Sequence, residues 1–150
     1  MSKSASLPAS LRFVFLACTL IFAGSALAQT VARADIPPVL LSGMEAYKPG
    51  NPELAIKAWT KNSPLEGTQA AADESINLRQ AQSVYGAFQW FDVISNREIS
   101  PRVRILYLTM NYEAGPLFGR FVFYRTDRGW IVSSFDFNLD DTKILPLTVE

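Results

Sequence analysis

Three short helices followed by a meander of antiparallel strands, an α+β fold, is the architecture this sequence predicts. Three observations carry that expectation. Residues 38–85 place apolar side chains at helical spacing between Pro and Gly stops. Residues 88–138 are dense in β-branched and aromatic side chains. Short Gly-, Pro- and Asp-bearing segments cut that second half into strand-sized pieces. Helices segregated ahead of strands pack on one face of an antiparallel sheet. The expected form is three N-terminal helices on a curved antiparallel sheet of about four strands.

The start of the chain stands apart from this domain. Lys3 and Arg12 supply positive charge, and Phe13 to Ala23 is an apolar run too short to cross a bilayer as a helix. Ala26-Leu27-Ala28 follows with small residues suited to cleavage, and Ala32-Arg33-Ala34 offers a second site. This is the pattern of a secretory signal peptide over 1–28, cut after Ala28, with a periplasmic or secreted product. Cys18 could instead be read as a lipid-attachment site. However, Phe15 stands where such sites carry Leu, and the apolar run continues through Leu20, Ile21 and Phe22. An ordinary cysteine inside the signal peptide is the simpler reading. Cleavage would leave a chain without cysteine, held by core packing alone, and at about 120 residues that is sufficient. Residues 29–36 then read as a flexible leader and 37–150 as one domain.

Each element has its own signature. Pro37-Pro38 opens the first helix, 38–48, with Leu40, Met44 and Tyr47 on one face, and Pro49-Gly50 stops it. Asn51-Pro52-Glu53 starts the second, 52–62: Asn as N-cap, Pro at the first helical position, an acid in the first turn. Its expected apolar stripe is Leu54, Ala55, Ala58 and Trp59. The third begins near Thr68, or at Asp73 as an internal cap, and ends at Tyr85 before Gly86. Strands follow over 88–98, 102–112, 117–125 and 130–138. They turn at Ser100-Pro101, Glu113-Ala114-Gly115-Pro116 and Thr126-Asp127-Arg128-Gly129.

Composition bounds the function. The chain has 14 basic and 14 acidic residues and no histidine. Loss of Lys3 and Arg12 with the signal peptide would leave a net charge of about −2, and no block of like charge exists. Nucleic acid is not an expected partner, nor is an anionic membrane surface, and no membrane insertion is expected once the signal is removed. Without histidine the commonest general base and the commonest metal ligand are both missing. Asp140-Asp141 is too few oxygens for a calcium site, and Asp73-Glu74 suits the start of a helix. No metal site and no cofactor are expected.

Turn positions suggest a register in which 112 pairs with 117, 125 with 130, and 98 with 103. Side chains alternate along a strand. One face then carries Leu106, Leu108, Met110, Phe121, Phe123 and Val132. The other carries Ile105, Tyr107, Thr109, Phe118, Arg120, Val122, Tyr124, Ile131, Phe135 and Phe137, joined by Trp90, Asp92 and Ile94. The helices can cover only one face, so the other needs the same chain, a second copy or a partner. The mixed face holds the candidate ligand-binding residues Trp90, Asp92, Tyr107, Thr109 and Arg120. Aromatic walls with a few convergent polar groups suit a small apolar ligand and suit an interface equally. Asp92, Thr109 and Arg120 are expected in one row across three strands, with Asp92 as partner of Arg120.

The helix-helix-helix-strand order and the last strand, Gly129-Trp130-Ile131-Val132-Ser133-Ser134-Phe135, resemble the nuclear transport factor 2-like superfamily of cystatin-like cone folds, over residues 38–138. The resemblance implies a helix-covered cone. It admits isomerases, dehydratases, ligand binders and subunits of envelope or secretion assemblies. Its enzymes typically place Asp, His or Tyr in the cone; their motifs have no residue-by-residue match here, and no catalytic residue carries over. Pairing through the sheet is frequent in the superfamily, which implies a homodimer. Two main readings follow: an exported non-enzymatic binding or interaction protein using the cone or the aromatic sheet face, or a small-molecule isomerase with Asp92 as base and Tyr107 as donor. A component of an envelope assembly is a third.

Overall fold

The computed structural model describes residues 35–146. The three helices are α1 (Pro38–Tyr47), α2 (Pro52–Thr60) and α3 (Gln69–Tyr85). The strands β1 (Phe88–Ser100), β2 (Val103–Tyr112), β3 (Pro116–Thr126) and β4 (Gly129–Asn138) follow, and a 3-10 turn spans Asp141–Lys143. The sheet is antiparallel throughout, in the order β1-β2-β3-β4. The α+β architecture expected from the sequence is therefore present. The proposed signal peptide and both candidate cleavage sites lie outside the described residues.

Local chemistry explains the helix ends. The Asn51 side chain accepts a hydrogen bond from the Leu54 N–H at 3.2 Å, ahead of Pro52 at N1. Thr68, not Asp73, caps α3: its hydroxyl accepts from the Ala71 N–H at 3.3 Å, and Asp73 lies inside the helix accepting from Gln69. Gly86 ends α3 at φ 85°, a conformation that favours glycine. The buried faces are Leu40, Gly43, Met44 and Tyr47 in α1, and Ala71, Ser75, Leu78 and Ala81 in α3. In α2 the inward stripe is Ala55, Ile56, Trp59 and Thr60; Leu54, expected inside, is 49% exposed.

The observed pairing departs from the expected register in three places. Between β2 and β3, Met110 faces Leu117 and Asn111 faces Pro116, two positions tighter than a 112–117 pairing. A shift of two preserves which side chains share a face. Between β1 and β2, Asp92 faces Thr109 as expected, but a shift between Val93 and Ser95 moves the pairing beyond it, so that Glu98 faces Arg104. Between β3 and β4, Arg125 faces Trp130 and Phe123 faces Val132, after which a bulge intervenes and Val122 faces Ser134. Ser133 is the extra residue, and its hydroxyl donates to the Val122 carbonyl at 3.1 Å. One inserted residue reverses the alternation beyond it. Phe135 and Phe137, expected on the mixed face, therefore lie with Phe121 and Gly119 on the helix-covered face.

That face makes the core. Leu106, Leu108, Met110, Leu117, Phe121, Phe123 and Val132 have no exposed surface. Trp59 is their meeting point with the helices: its ring centroid lies 5.2 Å from Phe121, 5.6 Å from Phe137 and 6.2 Å from Phe135. Its indole N–H donates to the Leu40 carbonyl at 3.0 Å, so the one polar atom of the ring is satisfied. Ile36, within the stretch read as leader, is also buried in this core.

At the β2–β3 turn end two phenols share a hydrogen bond inside the core. The Tyr47 hydroxyl donates to the Leu78 carbonyl at 3.3 Å and lies 2.9 Å from that of Tyr112. With its proton committed, Tyr47 accepts from Tyr112. Burial pushes the Tyr47 phenol up to about 12, opposed by the bond from Tyr112. Burial also raises Tyr112, reinforced by its donation to Tyr47. Both folded values lie above the unfolded value of about 10. The stability this pair contributes is therefore complete below pH 10 and lost as pH rises from there through the folded value of about 12 for Tyr47. Urea melts should show stability falling between pH 10 and 12, and Tyr112→Phe should flatten that fall; an unchanged slope would exclude the pair as its source.

Candidate functional site

The side of the sheet away from the helices carries all the alternate outward residues. The described residues place no helix over it. In β2 these are Ile105, Tyr107, Thr109 and Asn111; in β3 Phe118, Arg120, Val122 and Tyr124; in β4 Ile131, Ser134, Asp136 and Asn138. Most are half-buried by their neighbours, and Tyr124 is 39% exposed. β-branched, aromatic and charged side chains alternate here because each strand has one covered and one open face.

The candidate residues fall into two adjoining rows. Asp92, Thr109, Phe118 and Asn138 form the first. Ser95, Tyr107, Arg120 and Asp136 form the second. Asp92 and Thr109 are neighbours as expected, but Arg120 sits one row away, opposite Tyr107. Its ion partner is Asp136, with Nη1 3.3 Å from Oδ2. The expected Asp92–Arg120 pair is not formed. There are two physical reasons: the two-position shift of β3 along β2 moves Arg120 out of the Asp92–Thr109 row, and the Ser133 bulge turns Asp136 outward next to it. Asp92 instead accepts from the Asn111 side-chain amide at 2.5 Å. The Arg120 and Asp136 side chains are 34% and 51% exposed, so the pair contributes at most about 1 kcal/mol.

Trp90 is opposite Asn111 in the ladder, yet its ring leaves this row. It packs 5.1 Å from Phe91 and 4.9 Å from Lys48 Nζ, where the edge strand meets the end of α1. The five candidates thus do not converge on one point. Asp92 is exposed, and no apolar pocket among the described residues encloses it. The space between the helices and the sheet, the other place considered for a ligand, is occupied by Trp59 and the phenylalanines that surround it.

Two residues that sequence reasoning passed over, Asn111 and Asp136, are the actual partners of Asp92 and Arg120. Asn111 was legible from alternation, two places beyond Thr109. Asp136 was not, because its face depends on the bulge. One carboxylate is shifted in the opposite sense from a typical surface acid: burial raises the Glu74 pKa, opposed by hydrogen bonds from Asn77 and the Phe137 N–H. Glu74 ties α3 to the end of strand β4 rather than lining the open face. Among the described residues no cluster of three or more His, Cys, Asp or Glu could hold a metal ion, and no helix is long and apolar enough to cross a membrane.

No family model, no curated protein and no solved structure matches this chain.

Proposed function

We propose that this chain is an exported interaction protein whose working surface is the open face of the sheet, and that its first partner is a second copy of itself. The observation that carries this reading is the contrast between the two faces. The helix side is closed by packed aromatic rings, while Ile105, Tyr107, Phe118, Val122, Tyr124 and Ile131 form an apolar surface that no element of the described residues covers. Burying such a surface is the usual driving force of association.

The open face also suits self-association. A two-fold interface must complement itself, with residue i meeting j and j meeting i. Arg97 and Arg120 lie on the same face as Asp92 and Asp136, so a two-fold turn can set opposite charges against each other. Four strands spaced about 4.8 Å apart and about ten residues long give a face near 20 by 30 Å. That is close to the ~800 Å² per partner of a standard stable interface once side-chain relief is counted.

Sedimentation equilibrium at micromolar concentration should show a dimer. Val122→Arg places a charge at the middle of the face, and should weaken association at least about tenfold while leaving the melting temperature of the monomer nearly unchanged. A chain that stays monomeric at every concentration, or a Val122→Arg variant that dimerises as before, would overturn the proposal.

A further inference from the structure

At one end of the sheet the two hairpin tips lie side by side, and they gather arginines from distant parts of the sequence. The β1–β2 turn supplies Arg102, and the β3–β4 hairpin supplies Arg125 and Arg128. All three line one cleft of about 590 Å³ with Pro101, Thr126, Asp127 and Gly129. Among the described residues none of the three guanidinium groups has a carboxylate within ion-pair distance, Asp127 included. In a chain with equal numbers of basic and acidic residues, this is a local excess of positive charge.

The cleft is also held in shape. The Arg125 N–H donates to the Arg102 carbonyl at 2.9 Å, tying the two tips together. The Thr126 hydroxyl donates to the Gly129 carbonyl at 2.9 Å and accepts from the Arg128 N–H at 3.2 Å, fixing the second turn. The Arg125 guanidinium lies 5.9 Å from the Trp130 ring centroid, and Arg104 lies 5.2 Å from the same ring. Arg104 is itself anchored, by the Asp35 carbonyl and by Glu98, and only 18% of its side chain is exposed. Among the described residues its Nε is buried with no acceptor, and Asn96 Oδ1 is buried with no donor. This end of the molecule therefore carries one unmatched donor and one unmatched acceptor as well as unmatched charge.

Like charges held together on rigid turns repel, and the cost is relieved by an oxyanion of high charge density. Guanidinium groups match phosphate oxygens in planar, two-pronged fashion, and a site already in shape loses little ordering entropy on binding. We infer that the cleft between the hairpin tips binds a phosphate group through Arg102, Arg125 and Arg128. That chemistry is shared by soluble phosphate or a phosphate monoester and by an anionic lipid headgroup. The inference does not rest on the dimer, since these side chains lie at the tips of the hairpins rather than on the open face.

Two arms test it. In the first, inorganic phosphate is titrated into the full chain by calorimetry at fixed ionic strength. In the second, the chain is sedimented with phosphatidylglycerol–phosphatidylcholine vesicles. Arg102→Gln with Arg128→Gln should weaken binding at least tenfold, without loss of fold since both side chains are exposed. Arg79→Gln, on α3 and paired with Glu53, should leave binding unchanged. Phosphate binding lost in the double variant supports a soluble ligand. Vesicle binding alone, lost in the same variant, supports a headgroup. Binding in neither arm, or binding that the double variant keeps or that Arg79→Gln removes equally, would overturn the inference.

Discussion

Replacing Trp59 with alanine should lower the unfolding free energy by about 3–5 kcal/mol. Trp59 is the largest fully buried side chain and the one ring that touches Phe121, Phe135 and Phe137 together. Its removal leaves a cavity bounded by a helix pair and a sheet. A sheet held by its hydrogen-bond ladder collapses poorly into such a space, which places the loss at the upper part of the range. The Leu40 carbonyl also loses its side-chain donor. Urea denaturation followed by circular dichroism measures the change; a cost below about 1.5 kcal/mol would mean that the helices can close over the gap and that the core is not centred on Trp59.

The second large effect arises on the other side of the same ring. A methyl group at Gly43 would sit 1.9 Å from Trp59 Nε1 and 2.1 Å from Cδ1, distances at which one of the two must move. The indole is rigid and has the sheet behind it, so α1 and α2 must part instead. Gly43→Ala should therefore cost about 1–3 kcal/mol through overpacking, although alanine is the better helix former by about 1 kcal/mol. In the Trp59→Ala background the clash is gone, the helix preference remains, and the added methyl fills part of the cavity. There the same substitution should be neutral or stabilising. A double-mutant cycle reads the coupling directly. Additive costs would show that Gly43 is required for some reason other than the ring above it.

What could be read from the chain depended on the range of the interaction involved. Helix starts at Asn51 and Thr68 and the strand turns at Gly115 and Gly129 are set by neighbours in sequence, and they were legible. That Leu106, Leu108, Met110, Phe121, Phe123 and Val132 share one face was legible too, because strict alternation survives a register shift of two; that the helices cover this face was not. Phe135 and Phe137 were misplaced, and Asp136 was passed over, because a bulge carries no turn residue to announce it; Ser133 and Ser134 look like ordinary strand positions. The partner of Arg120 was missed through that bulge together with the two-position shift between β2 and β3. The arginine cleft escaped for a different reason. Arg102 and Arg125 are far apart in the chain, and no scan for runs of like charge joins them; only the pairing of β2 with β3 does so.

A strand with one covered face is read in steps of two, much as a message is read in a fixed frame. β4 begins in one frame, with Trp130 and Val132 turned to the helices, and finishes in the other, with Phe135 and Phe137 turned the same way. Ser133 is the point where the frame changes. Loss of a single residue between Val132 and Phe135 would merge the two halves into one continuous frame, with every buried ring still facing inward. The same loss between Leu106 and Met110 in β2 would send the apolar residues beyond it to the open face. The last strand, like β1 between Val93 and Ser95, then carries a place where chain length can shrink by one without a change of what is inside.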